Sequence, residues 1–332
     1  MVDQASTSPQ HTLPLPTMGC GTWAWGNRLL WGYRLEMDSQ LQAVFDHCVR
    51  HGVTLFDTGD SYGTGRLNGR SEILLGKFSA AYGGPQQDQI CLATKLAAYP
   101  WRLTRRSMAK ACQGSAQRLG RKVDLVQLHW STGNYAPWQE GALLDGLADL
   151  YEQQLVKGVG LSNFGPKRLQ QIYPRFRDRA IPVSTLQVQY SLLSTYPVTE
   201  LDIQEVCRTL GIKLIAYSPL ALGILTGKYT DRSQFPKGLR GLLFRQLLPG
   251  VKPVLTTLQV IAIGRQKTMA QVALNWCLCK GFIPIPGAKT LAQAQENTGA
   301  LGWHLDAGEV LELDAAVNRC DRQMVQNIFQ TK

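Results

Sequence analysis

The chain lacks any run of about 18 apolar residues, the length that a membrane-crossing helix needs. It also lacks a CxxC pair, although eight cysteines are scattered along it, at positions 20, 48, 91, 112, 207, 277, 279 and 320. Zinc-type ligand spacing is therefore absent. Scattered thiols of this kind read as free, mostly buried and kept reduced. Cys277 and Cys279 fall in an apolar helical pattern and are expected to point to different faces. Histidine is scarce, at five. His47 and His51 have i, i+4 spacing, but no HExxH motif surrounds them, so an ordinary outer helix and no metal are expected. The Rossmann fingerprint GxGxxG is missing too: Gly19-Cys20-Gly21 runs into Trp23-Ala24, and Gly158-Val159-Gly160 lies inside a strand pattern. No Walker A loop exists. Residues Met1 to His11 have no apolar core of the secretory type, so residues 1–14 read as a flexible lead-in and the protein as cytoplasmic.

Acidic side chains are the rarer sign: 24 against 35 basic ones, for a net charge of +11. The basic residues are spread out. Their densest groups, such as Arg102, Arg105 and Arg106, lack the glycine and aromatic interleaving of an RNA-binding sheet. Solvated faces are expected, with neither nucleic acid nor membrane as partner. What the 332 residues do have is 44% hydrophobic and 18% charged side chains, the balance of a folded globular chain.

A pattern then repeats: a short apolar run, a polar turn, an amphipathic stretch. The short runs are Gly19–Trp23, Val53–Asp57, Ile90–Lys95, Val123–His129, Gly158–Asn163, Leu186–Tyr190, Leu214–Tyr217 and Ile283–Pro286. Helical patterns between and after them include Ser39–His51, Gly69–Phe78, Leu103–Leu119, Gly141–Gln154, Lys167–Ile172 and Glu200–Leu210. Val254–Lys280 reads as two helices broken near Gly264–Thr268. Leu291–Ala300 and Ala307–Asn318 follow the last strand, the latter with Asp306 as its N-cap. Strands alternating with helices imply parallel pairing, and eight of them imply a closed (β/α)8 TIM barrel in the α/β class. One barrel domain over 15–332 is expected, with extra C-terminal helices. The irregular stretch from Ala221 to Lys252, rich in glycine and basic residues, follows the seventh strand and is expected to cover the barrel's C-terminal face.

Active sites of parallel barrels lie at the C-terminal ends of the strands. The second run ends at Asp57, and its turn brings Tyr62. The third ends at Lys95 and the fourth at His129. An acid, a phenol, an amine and an imidazole would share one pocket. Carbonyl reduction needs a hydride at carbon and a proton at oxygen. A tyrosine is a weak acid near neutrality, and a neighbouring lysine cation is expected to lower its pKa. Asp57 would hold Lys95, and His129 would orient the carbonyl. Trp25, Trp130 and Trp138 are candidate walls of an apolar substrate pocket.

These residues carry a resemblance. Asp57-Thr58-Gly59-Asp60-Ser61-Tyr62-Gly63, Ala93-Thr94-Lys95 and Leu125-Val126-Gln127-Leu128-His129-Trp130 resemble the tetrad motifs of the aldo-keto reductase superfamily, over about residues 15–320. The resemblance implies NADPH as cofactor and a small aldehyde or ketone as substrate. It implies that Ser162 and Asn163, in Gly160-Leu161-Ser162-Asn163-Phe164, hold the nicotinamide carboxamide together with Gln187. Tyr217, in the run continuing through Ser218 to Leu220, would stack on the nicotinamide ring. Gly21, Thr22 and Trp23 would line the cofactor. Gly287, Lys289, Gln293, Glu296 and Asn297 would take its adenosine end, with Lys289 facing the 2′-phosphate. The segment Pro284–Trp303 looks closest to plant and cyanobacterial members, among which pyridoxal reductases are natural comparisons. Animal members often place Lys-Ser directly after the strand, where this chain has Gly287-Ala288-Lys289. Other relatives within the superfamily are nucleotide-sensing regulatory subunits of potassium channels, and the tetrad alone does not separate that role from catalysis. A monomer is the expected state.

Overall fold

The computed structural model describes residues 13–229, 235–236 and 238–332, with the backbone alone at Leu239. Eight strands pair in parallel in chain order: β1 Gly19–Gly21, β2 Leu55–Asp57, β3 Cys91–Leu96, β4 Leu125–Leu128, β5 Gly158–Ser162, β6 Val183–Gln189, β7 Lys213–Tyr217 and β8 Ile283–Pro284. A parallel bridge between Gly21 and Gly287 brings the last strand back to the first. The Gly21 amide donates to the Pro286 carbonyl at 3.2 Å across the same seam. The barrel is therefore closed. No single helix among the described residues is long and apolar enough to cross a membrane.

The helices are α1 Arg28–Trp31, α2 Asp38–Arg50, α3 Arg70–Ala81, α4 Arg105–Leu119, α5 Pro137–Glu152, α6 Pro166–Arg177, α7 Tyr196–Thr199, α8 Ile203–Leu210, α9 Leu239–Leu247, α10 Lys252–Arg265, α11 Met269–Cys279, α12 Leu291–Thr298 and α13 Ala307–Asn318. α13 begins where expected because Asp306 accepts from the Glu309 amide in a reciprocal capping box. α10 and α11 break at Gln266, which takes a left-handed conformation, and Thr268 caps the second helix. Of the stretch after β7, 230–234 and 237 lie outside the described residues, and the described part is less irregular than expected, since Leu239–Leu247 forms α9.

Strands buried on both faces explain why the runs read as near-continuous apolar segments. Inside the barrel lie Leu55, Cys91, Ala93, Leu125, Ile215, Ile283 and Ile285, with Leu13 and Leu15 packed against them. The expected lead-in over 1–14 thus falls mostly outside the described residues, and Leu13 already belongs to the packed barrel. A larger shell of apolar side chains, Phe45, Phe56 and Phe78 among them, joins the barrel to its helices. Burying each such side chain stabilises the fold by about 1.5–3 kcal/mol. The described cysteines form no disulfide; Cys277 is buried and Cys279 exposed, on different faces of α11 as expected.

Trp25 is a correction. Its ring is fully buried, edge-on to Phe78 at 5.7 Å, and its Nε1 donates to the Ala288 carbonyl at 2.9 Å. It packs in the core and does not line the cavity at the strand ends. Trp138 lies on the first turn of α5 with most of its surface exposed, so it walls nothing either.

Candidate active site

A cavity of about 570 Å3 opens at the C-terminal ends of the strands. Apart from Trp25 and Trp138, each residue nominated above as catalytic, cofactor-binding or substrate-lining reaches its wall. Trp130 is there, stacked on Phe329 at 4.5 Å, with its Nε1 donating to the Tyr135 hydroxyl.

Asp57 and Lys95 end neighbouring strands and form an ion pair that is almost completely buried. The other carboxylate oxygen of Asp57, Oδ2, accepts from Gln127 Nε2 at 2.9 Å and Gln187 Nε2 at 2.8 Å. Lys95 Nζ lies 5.1 Å from the Tyr62 ring centre. The Tyr62 and His129 rings meet edge to face at 5.9 Å. His129 follows β4, with its amide donating to the Leu96 carbonyl, and its Nδ1 is buried without a partner.

The turn that carries Tyr62 is held on both sides. Asp60 accepts from the Ala97 amide at 3.1 Å and pairs with Arg102 at 2.8 Å. Gly63 sits at φ +129°, where an added Cβ would lie 1.8 Å from the Leu67 carbonyl oxygen. Only glycine fits that corner.

The electrostatics differ from expectation at one point. Lys95 does not depress Tyr62. Enclosure of the phenol, with the carboxylates of Asp57 and Asp60 nearby, pushes it well above its ordinary 10. Burial pulls Lys95 below its usual range, only partly countered by Asp57. Burial and then the Lys95 cation hold His129 well below 6.5. The set at neutral pH is a phenol, a neutral imidazole and a buried ion pair.

Around this set, Asn163 takes a left-handed conformation at φ 61°. Its Nδ2 donates to the His129 carbonyl at 3.0 Å and to Ser162 Oγ at 3.2 Å. Its Oδ1 accepts from the Tyr217 hydroxyl at 2.8 Å, and Asn327 Nδ2 donates to that same hydroxyl. Residues 321–332 run back over the barrel mouth. The Thr331 amide reaches the Asn163 carbonyl, and the Gly165 amide donates to Thr331 Oγ1 at 2.9 Å. A Cβ on Gly165 would lie 2.2 Å from the Thr331 carbonyl oxygen, so the glycine makes room for this crossing.

The opposite end of the cavity is cationic. Lys289 Nζ donates to the Trp31 carbonyl and lies 5.7 Å from the Trp31 ring centre, which Arg240 of α9 approaches at 4.7 Å. Burial, then the Arg240 charge, pulls Lys289 below its ordinary range. Two cations sharing one ring would both be relieved by an anion, and the neutral amides at the other end suit a carboxamide. The residues present therefore fit a phosphate-bearing dinucleotide. Sequence reasoning had singled out Lys289 but not Arg240, one of several basic residues in the stretch after β7. Gln127, Asn327 and Phe329 were also missed. Among the described residues no cluster of histidine, cysteine and acidic groups could hold a metal.

A closed parallel barrel with a buried acid–lysine pair, a phenol and an imidazole under a cation-rimmed cleft defines a barrel oxidoreductase. The chain belongs to the aldo/keto reductase family, whose family model matches residues 17–318. It is 52% identical over 323 residues to "Pyridoxal reductase, chloroplastic" of Arabidopsis thaliana, covering 96% of this chain and 88% of that one. It is 28% identical to the aldo-keto reductase yakc [NADP(+)] of Schizosaccharomyces pombe, covering 93% and 90%. In fold it matches the glycerol dehydrogenase of Gluconobacter oxydans, at a TM-score of 0.78 and 24% identity, over 96% of both chains. It also matches an aldo/keto reductase from Klebsiella pneumoniae in complex with NADP and acetate, at 0.70 and 23%, over 94% and 95%.

Proposed function

We propose that this protein reduces small aldehydes or ketones to alcohols at the expense of NADPH, with Tyr62 as the general acid, within a single barrel domain over 15–332. The observation that carries the reading is the buried Asp57–Lys95 pair beside Tyr62 and His129 in the same cleft as the Lys289–Arg240 end. NADPH, when bound, supplies the hydride. The chain does the rest. Tyr62 donates a proton to the carbonyl oxygen, and neutral His129 hydrogen-bonds that oxygen and aims the carbonyl. Lys95, held by Asp57, puts positive charge near the phenolate left behind. Ser162, Asn163 and Gln187 hold the carboxamide end, and Tyr217 supplies an aromatic face. Gly21, Thr22, Trp23, Ser218 and Leu220 line the cleft between, and Gly287, Gln293 and Asn297 line its adenosine end. Trp130 and Phe329 wall the substrate.

Pyridoxal heads the aldehyde panel, because the Arabidopsis relative is named for its reduction. That same name places the relative in the chloroplast, whereas the present chain reads as cytoplasmic; a fluorescent fusion decides the compartment.

Fluorescence titration tests the cofactor. Lys289→Ala should weaken NADPH by about 10–100-fold, the value of a charge-assisted phosphate contact. NADH should be nearly unaffected. Failure of the native protein to bind NADPH would sink the reading.

The proton chemistry has its own signature. The acid limb of kcat should lie well below pH 6.5, because His129 stays neutral above its lowered pKa. Any alkaline limb below pH 10 should belong to Lys95 losing its proton, with Tyr62 still a phenol. Tyrosinate absorbance followed alongside kcat checks this: a Tyr62 transition below pH 10 would contradict it.

A further inference from the structure

Asp57 Oδ2 accepts from two side-chain amides on different strands. Gln127 reaches it from β4 and Gln187 from β6, and Gln187 Nε2 lies 3.4 Å from Gln127 Oε1. Both side chains are buried to within about one percent. Their surroundings differ. Gln187 faces the cavity, whereas Gln127 lies beneath it and is not part of its wall. The strand between them, β5, gives the amides room at Gly160. A Cβ there would lie 3.1 Å from Gln127 Cγ and 2.2 Å from Thr185 Oγ1.

We propose that Gln127 is a positioning residue: the standing hydrogen-bond partner of Asp57, which frees Gln187 to turn to a ligand in the cavity. A buried carboxylate oxygen left without a donor is costly, and Lys95 serves the other oxygen, so Gln187 leaves Oδ2 readily only when a second donor remains there. Gln127 cannot serve the ligand itself, because it lacks access to the cavity. The division rests on the NADPH reading for its ligand but not for its geometry.

The experiment is a double-mutant cycle on the whole chain with Gln127→Leu, Gln187→Leu and both together. NADPH affinity is read by fluorescence titration. Gln127→Leu should weaken NADPH by about tenfold, since Gln187 is then held on Asp57. The double variant should bind within about twofold of Gln187→Leu, because without Gln187 nothing is left to hold back. Wild-type affinity in Gln127→Leu would overturn the proposal, as would penalties that simply multiply. A second arm needs no cofactor. In thermal unfolding of the ligand-free protein, either single variant keeps one donor on Asp57 Oδ2. The double variant should therefore lose more than the sum of the singles, and additive losses would overturn the shared-carboxylate geometry. Gln127→Met, equal in length and without a donor, replaces Gln127→Leu should branching at that position prevent folding. If the native protein binds no NADPH, the reductase reading falls, while the thermal arm still decides whether the two amides share Asp57.

Discussion

Tyr62→Phe should lower kcat for aldehyde reduction by about 10²–10⁴-fold, the usual worth of a positioned general acid, and leave NADPH affinity within about twofold. The phenol sits 5.9 Å ring to ring from His129 with the Lys95 ammonium over its ring, and of the four side chains it alone carries an O–H at neutral pH. Enclosure keeps that proton on at neutral pH, which suits a donor. The ring itself would be retained in the variant, and with it the packing of the turn. The loss should therefore appear equally in kcat and kcat/KM, as for a contact made only in the transition state. A variant that kept its rate would pass the acid role to His129 or to water. One that lost NADPH as well would make Tyr62 a structural residue. Measured turnover with unchanged binding separates these outcomes, and it also separates an enzyme from a nucleotide-sensing subunit, which would show binding and negligible turnover in the native protein.

Much of this arrangement was legible in the residues, for a physical reason. Parallel strands are buried on both faces, so each announces itself as a short apolar run, and all eight runs became strands. Among the polar residues inside those runs, Asp57, Lys95 and Gln187 stand toward the strand ends that open on the cavity, and burying them needs partners. What stayed hidden depends on contacts between distant segments. Gln127 reads as one more strand residue until the barrel closes and brings Asp57 to it. Asn327 and Phe329 come from a stretch with no periodic pattern that returns over the mouth. Arg240 is one basic residue among several until α9 turns it onto Trp31.

Two expected helix boundaries fell short beside a proline. α5 starts at Pro137, four residues before the expected Gly141, because proline is well suited to a first helical turn. α6 runs through Pro174 to Arg177, beyond the expected Ile172. Tertiary packing of Leu169, Ile172 and Phe176 outweighs the lost backbone hydrogen bond there. Tyr62 shows the same override in electrostatic form: proximity to Lys95 suggested a lowered pKa, but enclosure and two carboxylates outweigh that cation.

Lys95→Met should cost the fold about 3–5 kcal/mol, because it leaves the Asp57 carboxylate buried without its counter-charge. The pair is nearly sealed from water, at 1% and 3% side-chain exposure, so solvent cannot stand in for the ammonium. Gln127 and Gln187 still donate to Oδ2, but Oδ1 loses its partner. Methionine matches the length of the stem, which keeps the cavity term small and isolates the charge. The control is the double variant Asp57→Asn with Lys95→Met. It removes both charges, and should recover much of the stability lost by the single change, since neutral groups of similar shape cost far less to bury. Activity should not return with it, because the charge beside Tyr62 remains absent. Thermal unfolding of the native protein, the single and the double variants is the measurement. Equal stability of the native protein and Lys95→Met would mean that Asp57 and Lys95 are not a charged pair in the folded barrel. Recovery of stability without recovery of turnover would assign Lys95 to the chemistry of the site and Asp57 to holding it there.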